Sequence, residues 1–189
     1  MKARNMNNRS MNTGKAVAIL FVISILSLVS APLAAADVEP VTVANFVRAE
    51  SDHMIRANMK AFDVRFGEFS HLRQPTTPDN QPVIRMNQDT LYSGTVLDLS
   101  RPVKITLPEV GGRYMSMHVV SQDHYMIVES KPGTYELTRD KVGTRFALVT
   151  VRTFYNAGDP DDLDRAHAVQ DKIEISGGGN GPFEAPNWN

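Results

Sequence analysis

Between Thr42 and Phe66 the apolar residues recur at steps of three and four. Val43, Val47, Met54 and Ala61 make one stripe, and Ile55, Met59, Phe62, Phe66 and Phe69 make a second. That period predicts one long helix, with Thr42 placed to cap its start and Gly67 to end it. His53 falls among Ser51, Asp52 and Arg56, on a solvated face. Residues 70–82 (SHLRQPTTPDNQP) hold three prolines and no period, which marks a loop. Short alternating or β-rich runs follow at 83–86, 90–99, 103–107, 113–121, 125–129, 134–138 and 146–154, with turn material such as PEVGG and KPG between them. Connections this tight indicate an antiparallel sheet, because a parallel crossover takes about a dozen residues or more. Asp159-Pro160-Asp161-Asp162 then opens a second helix with a capping acid, a proline and negative charge in its first turn. Leu163, Ala166, Val169, Gln170 and Ile173 form its inner face. The fold predicted is α+β: an N-terminal helix, a largely antiparallel sheet of about seven short strands, and a C-terminal helix. The last fourteen residues, SGGGNGPFEAPNWN, contain four glycines and two prolines and read as a linker-like tail that ends on Trp188.

A different pattern precedes the first helix. Lys2, Arg4, Arg9 and Lys15 stand in an acid-free start, followed by the apolar run AVAILFVISILSLV from Ala16 to Val29 and the small-residue site Ala34-Ala35-Ala36. These are the three parts of a secretory signal peptide. Ser24, Ser27, Ser30 and Pro32 interrupt the run before it reaches the roughly 20 residues that span a bilayer. Cleavage between Ala36 and Asp37 would give a periplasmic or secreted protein with no stable membrane span; an uncleaved N-terminal anchor is the alternative. The organisation expected is a signal peptide over 1–36, a domain over 37–175 and the tail over 176–189.

Charge and composition narrow the function classes. The whole chain carries 20 basic and 21 acidic residues, which gives no electrostatic reason to expect nucleic-acid binding. Without the four basic residues of the start, 16 basic residues face 21 acidic ones. The absence of cysteine excludes disulfides, thiolate metal sites, Cys nucleophiles and a lipidated cysteine. An exported domain without staples rests on packing alone, which suits a bacterial periplasm. No nucleophile elbow, zinc-protease helix, phosphate-binding loop or dinucleotide fingerprint occurs, so no cofactor is expected.

Candidate chemistry gathers in two places. Arg85, Asn87, Asp89, Tyr92 and Ser93 fall within nine residues at a loop–strand junction. Arg85 suits an anionic group, with Asn87, Asp89 and Tyr92 as hydrogen-bonding or acid–base partners. The same residues also suit a structural duty, the commoner one for polar residues at a strand start, with Asn87 and Asp89 satisfying turn backbone and Arg85 pairing with Asp89. The second place is Tyr114, Ser116 and His118 on one strand face, then Asp123 and His124 in the following turn. Two imidazoles and a carboxylate are a possible three-ligand metal set, although the spacing fits no metal motif and His118 alternates with apolar Met115, Met117 and Val119.

At these residues a resemblance appears. The segments NQDTLYS (Asn87 to Ser93), DLS (Asp98 to Ser100), Leu107-Pro108, the turn from Gly111 through Arg113 to Tyr114, and Asp123-His124-Tyr125 resemble the core of the bacterial family DUF1254. The resemblance extends through GTRFALVTVRTF and the closing FEAPNW. It implies an α+β domain, in longer relatives followed by a second, mostly β domain (DUF1214), and it brings no activity or catalytic residue with it. The function expected is an exported envelope domain that binds a small polar or anionic ligand, with Arg85, Asn87, Tyr92 and Arg113 as ligand-binding residues, or that pairs with a DUF1214-type domain in trans. A hydrolase using Arg85, Asp89 and Tyr92 with His118 or His124 is the alternative, and a truncated half of a two-domain protein is a third.

Overall fold

The structure, a computed structural model, describes residues 37–81 and 85–189. The basic start, the apolar run and the alanine site lie outside the described residues, as do Val83 and Ile84 of the first expected strand. Among the described residues no helix is long and apolar enough to cross a membrane.

The elements are β1 (Val38–Glu39), α1 (Phe46–Ala61), β2 (Ser70–His71), β3 (Thr90–Asp98), β4 (Val103–Leu107), β5 (Met115–Ser121) and β6 (Met126–Glu129). They continue with β7 (Gly133–Leu137), α2 (Arg139–Val142), β8 (Phe146–Phe154), α3 (Asp162–Gln170), β9 (Glu174–Gly177) and β10 (Asn187–Trp188). A five-stranded sheet runs β2-β3-β8-β5-β6 and a three-stranded sheet runs β7-β4-β9. All pairs in both are antiparallel, whereas β1 and β10 form a separate parallel pair. The fold is α+β, with the antiparallel strands divided between two sheets rather than gathered in one.

Strand alternation sorts the side chains of the large sheet into two faces. Odd positions of β3, β5 and β8, among them Leu97, Met117 and Val149, meet Val103 and Ile105 of β4 in the main core. Each such side chain taken fully out of water adds roughly 1.5–3 kcal/mol. Even positions form the opposite face. There the register sets Val96 beside Leu148, Gly94 beside Thr150, and Tyr92 beside Arg152; Thr150 is in turn beside His118, and Arg152 beside Ser116. Ile55 of α1 packs with Val96 and Val64, supported by Met59, Phe62 and Leu148.

The helix differs from its expected bounds. Thr42 caps nothing; its N–H and Oγ1 both donate to Asn45 Oδ1, at 2.7 and 3.1 Å, so the chain turns before α1 begins. Asp63, at φ 48°, stops the helix four residues before Gly67, a left-handed conformation that Asp tolerates better than most residues. The first apolar stripe is not the buried one. Val43 is fully exposed and Val47 about half so, while Ala49, Ser51, Asp52 and Ile55 are buried. Polar Ser51 and Asp52 can turn inward because partners wait there: Asp52 accepts from Gln122 Nε2 at 2.7 Å and from Trp188 Nε1 at 3.0 Å.

Two segments read as irregular are structured. Ser70–His71 of the proline-rich stretch pairs with Ser93 and Gly94. The glycine-rich close first extends β4 as β9. It then wraps over Asp98, whose backbone carbonyl accepts from the Gly179 N–H at 2.7 Å. Phe183 sets its ring 5.0 Å from that of Phe146. The glycines are needed for approach: a Cβ on Gly179 would lie 2.3 Å from Asp98 Oδ2. The helix expected from Asp159 is α3 and starts at Asp162, and Ile173, expected on its inner face, is buried just beyond its end.

Candidate functional site

Helix α1 crosses the even face from one corner to another. Its N-terminal half meets the β5–β6 turn, with Arg48 paired to Asp123 and Ser51 Oγ 3.4 Å from His124 Nδ1. Its C-terminal end meets β2, where Ser70 Oγ donates to the Phe62 carbonyl at 2.7 Å. Beside the helix the sheet floor opens into a cavity of about 300 Å³. Met54, Phe62, Val64, Leu72, Met86 and Leu148 supply its apolar wall, and Asn58, Arg85, Tyr92 and Thr150 are its main polar lining.

Arg85 and Tyr92 both line this cavity. Arg85 has a left-handed backbone, φ 65°, and its N–H donates to Gln81 Oε1 at 3.0 Å. A bulky residue held in that conformation stores strain of the kind found at ligand sites. Tyr92 accepts from the Asn87 N–H at 2.9 Å, so its own hydroxyl proton stays available to a ligand. Asn87 contributes backbone: its carbonyl also accepts from Thr76 Oγ1 at 2.6 Å. Asp89 has an exposed side chain, and its carbonyl accepts from the Tyr155 N–H. Among the described residues no ion pair joins Arg85 to Asp89.

Arg113, expected among the ligand-binding residues, is committed elsewhere. It grips Asp162 with two hydrogen bonds, at 2.6 and 2.9 Å, and also donates to the Phe154 carbonyl. These bonds, with the Asn156 N–H, hold the Asp162 carboxyl far below the usual carboxylate range. A guanidinium consumed by a nearly buried partner has no fork left for a ligand.

His118, Asp123 and His124 do not come together. Asp123 pairs with Arg48, His124 adjoins Ser51, and His118 lies 2.9 Å from Arg152 Nη2. Among the described residues no group of three such side chains is arranged to hold a metal. Burial and then the Arg152 charge lower the His118 pKa, which keeps the ring neutral near pH 7. A serine–histidine contact does occur, Ser93 Oγ to His71 Nδ1 at 2.7 Å. Ser93 is fully buried on the core side and also receives Gln170 Nε2 at 3.1 Å. These contacts engage that hydroxyl in holding β2 and α3 to β3.

Sequence reasoning missed Met54, Asn58 and Thr150 as cavity walls, and Arg152 as the residue two beyond Thr150 on the same face of β8. Arg152 sits in the alternation of β8 like any solvated polar residue; only the register, which sets it between Tyr92 and Ser116, reveals its place.

No curated protein matches the chain. A crystal structure of the VPA0106 protein from Vibrio parahaemolyticus is similar in fold, with a TM-score of 0.57 and 18% identity over 75% of this chain. The chain spans only 40% of that protein's length. Residues 66–177, more than half of the chain, match the family described as "Protein of unknown function (DUF1254)", and the chain belongs to that family.

Proposed function

We propose that the domain is an exported binding module that takes a small amphipathic molecule into the cavity beside α1. The apolar part lies against Met54, Phe62 and Leu148, and the polar or anionic part lies toward Tyr92 and Thr150, with Arg85 at the edge. The observation that carries this reading is the cavity itself: about 300 Å³, at the small end of the roughly 300–1,000 Å³ range of small-molecule pockets. Its mixed lining matches an amphipathic guest.

The test is calorimetric titration of residues 37–189 with a series from hexanoate to dodecanoate and the matching alcohols. Saturable binding that strengthens with chain length is expected, at about 0.8 kcal/mol per buried methylene until the cavity is filled. Met54→Trp, which fills the cavity from its helical wall, should abolish that binding and leave the circular dichroism spectrum unchanged. Failure of every member of the series to bind would overturn the reading.

Pairing with a second domain, such as a DUF1214-type partner, has a separate observation in its favour. Edge strand β6 and the turn before it expose Tyr125, Met126 and Val128, and an exposed apolar edge is a ready docking line. Val128→Lys should weaken co-elution with a DUF1214 domain supplied in trans. Co-elution unaffected by that charge would remove β6 from the interface.

A further inference from the structure

From the even face of the large sheet we infer that the ligand is a monocarboxylate and that Arg152, with Ser116 beside it, is the seat of its charge. This rests on the binding reading above and names the part of the ligand that reading leaves open.

Arg152 stands one pleat from Thr150 along β8, and Thr150 lines the cavity. Successive residues on one face of a strand are about 7 Å apart, within reach of a head group whose tail lies against Leu148 and Met54. Arg152 is half-buried, and the only hydrogen-bond neighbour of its guanidinium among the described residues is His118. No carboxylate among the described residues pairs with it, whereas Arg73, Arg113, Arg145 and Arg165 each hold an acid. A half-buried guanidinium is stabilised when its charge is met.

The neighbours define the size of that charge. Directly across on β5, Ser116 is 2% exposed and its Oγ has no hydrogen-bond partner among the described residues. Across β3, Tyr92 keeps a hydroxyl proton to donate. Thr90, the next residue on that face of β3, carries a second buried hydroxyl without a partner among the described residues. His118 beside them is held neutral. One fixed positive charge and a set of neutral hydroxyl donors complement one negative charge, a carboxylate, better than a phosphate dianion. Arg85 is fully at the edge, where solvent screens it, so it steers the approaching anion while Arg152 holds it.

The experiment compares octanoate, octyl phosphate and 1-octanol by calorimetry on wild type, Arg152→Gln, Arg152→Lys and Ser116→Ala. Wild type should bind octanoate at least tenfold more tightly than either competitor. Arg152→Gln should lose that tenfold preference and leave 1-octanol affinity unchanged. Arg152→Lys, which keeps the charge without the planar fork, should retain part of it. Octanoate binding that survives Arg152→Gln intact would overturn the proposal, as would a preference for octyl phosphate; both would leave the amphipathic-ligand reading standing. Absence of binding by all three molecules to wild type would fell that reading and this one together. Ser116→Ala is the guard against misfolding at Arg152: it removes only a hydroxyl and should still weaken octanoate alone, by about threefold.

Discussion

Trp188 donates its indole N–H to a carboxylate that is fully out of water, and deleting that one donor should be visible across the whole molecule. Asp52 is 0% exposed and takes two hydrogen bonds, from Gln122 and from Trp188. Gln122 already donates through Nε2 to Asp52 Oδ1, and its amide is pinned there by the Phe146 N–H on its carbonyl oxygen at 3.2 Å, so it cannot swing across to Oδ2. Trp188→Phe keeps most of the ring and removes the N–H, so Asp52 is left with one donor. A hydrogen bond to a charged group contributes about 1.5–3 kcal/mol. Urea slopes for domains of this size run at about 1–3 kcal/mol per molar, so the midpoint of urea unfolding should fall by about 1 M. Far-UV circular dichroism measures that midpoint in both proteins. Trp188 is also the only tryptophan, so wild-type fluorescence reports on the tail alone. Its transition should coincide with the dichroism transition, as one cooperative unit requires. A variant midpoint equal to wild type would refute the reasoning, and so would wild-type fluorescence that changes well before the dichroism does.

Other outcomes follow from the same contacts. Gly179→Ala would drive a methyl into Asp98 and Ser100 and should lower stability by about 1–3 kcal/mol; a melting temperature equal to wild type would show that the tail gives way freely. Burial pushes the Asp98 carboxyl up, but hydrogen bonds from Arg145 and Ser100 outweigh it and bring it down to about 2, from an ordinary 3.8. The resulting stability is therefore present above about pH 4 and is lost as pH falls from there toward 2. Arg145→Gln should flatten that part of a melting-temperature profile, and an unchanged slope would assign the acid sensitivity to other groups. Asp89→Asn should leave stability within about 0.5 kcal/mol, because the side chain is exposed; a collapse in thermal unfolding would reveal a structural duty for it. The envelope-fraction protein should have the intact mass of residues 37–189, and a full-length species embedded in membrane would support the anchor instead.

The parts of the fold that were legible are those whose information is local. β3, β5 and β8 alternate or run apolar over seven to nine residues, and their bounds lie within two residues of expectation. β9 was hidden because it offers only Ile175 as an apolar residue before its glycine and owes its shape to pairing with β4. The tail was hidden more deeply. Trp188 and Asp52 are 136 residues apart, and glycines that look like flexible spacer are there because Asp98 and Ser100 leave no room for a Cβ. At the site, Arg85 and Tyr92 stood out through crowding of polar types within one segment. Arg113 looked equally free, and nothing local announces that Asp162, 49 residues on, will claim it. Arg152 was silent for the converse reason: its neighbours Tyr92 and Ser116 lie on other strands.

The small parallel pair of β1 and β10 has a mechanical meaning. In β1 and β10 the chain runs in one direction, Val38 beside Asn187 and Glu39 beside Trp188. Tension applied through Asp37 and Asn189 therefore pulls the two strands past each other lengthwise. The ladder, the Val41 N–H to Asn189 Oδ1 bond at 2.7 Å and the Trp188–Asp52 bond bear that load together, instead of opening one after another as in a zipper. Resistance to force is set by the barrier to rupture rather than by equilibrium stability, and bonds loaded in shear raise that barrier. Pulled apart along β1 and β10, the domain would have to break the ladder and the indole bond to Asp52 at once.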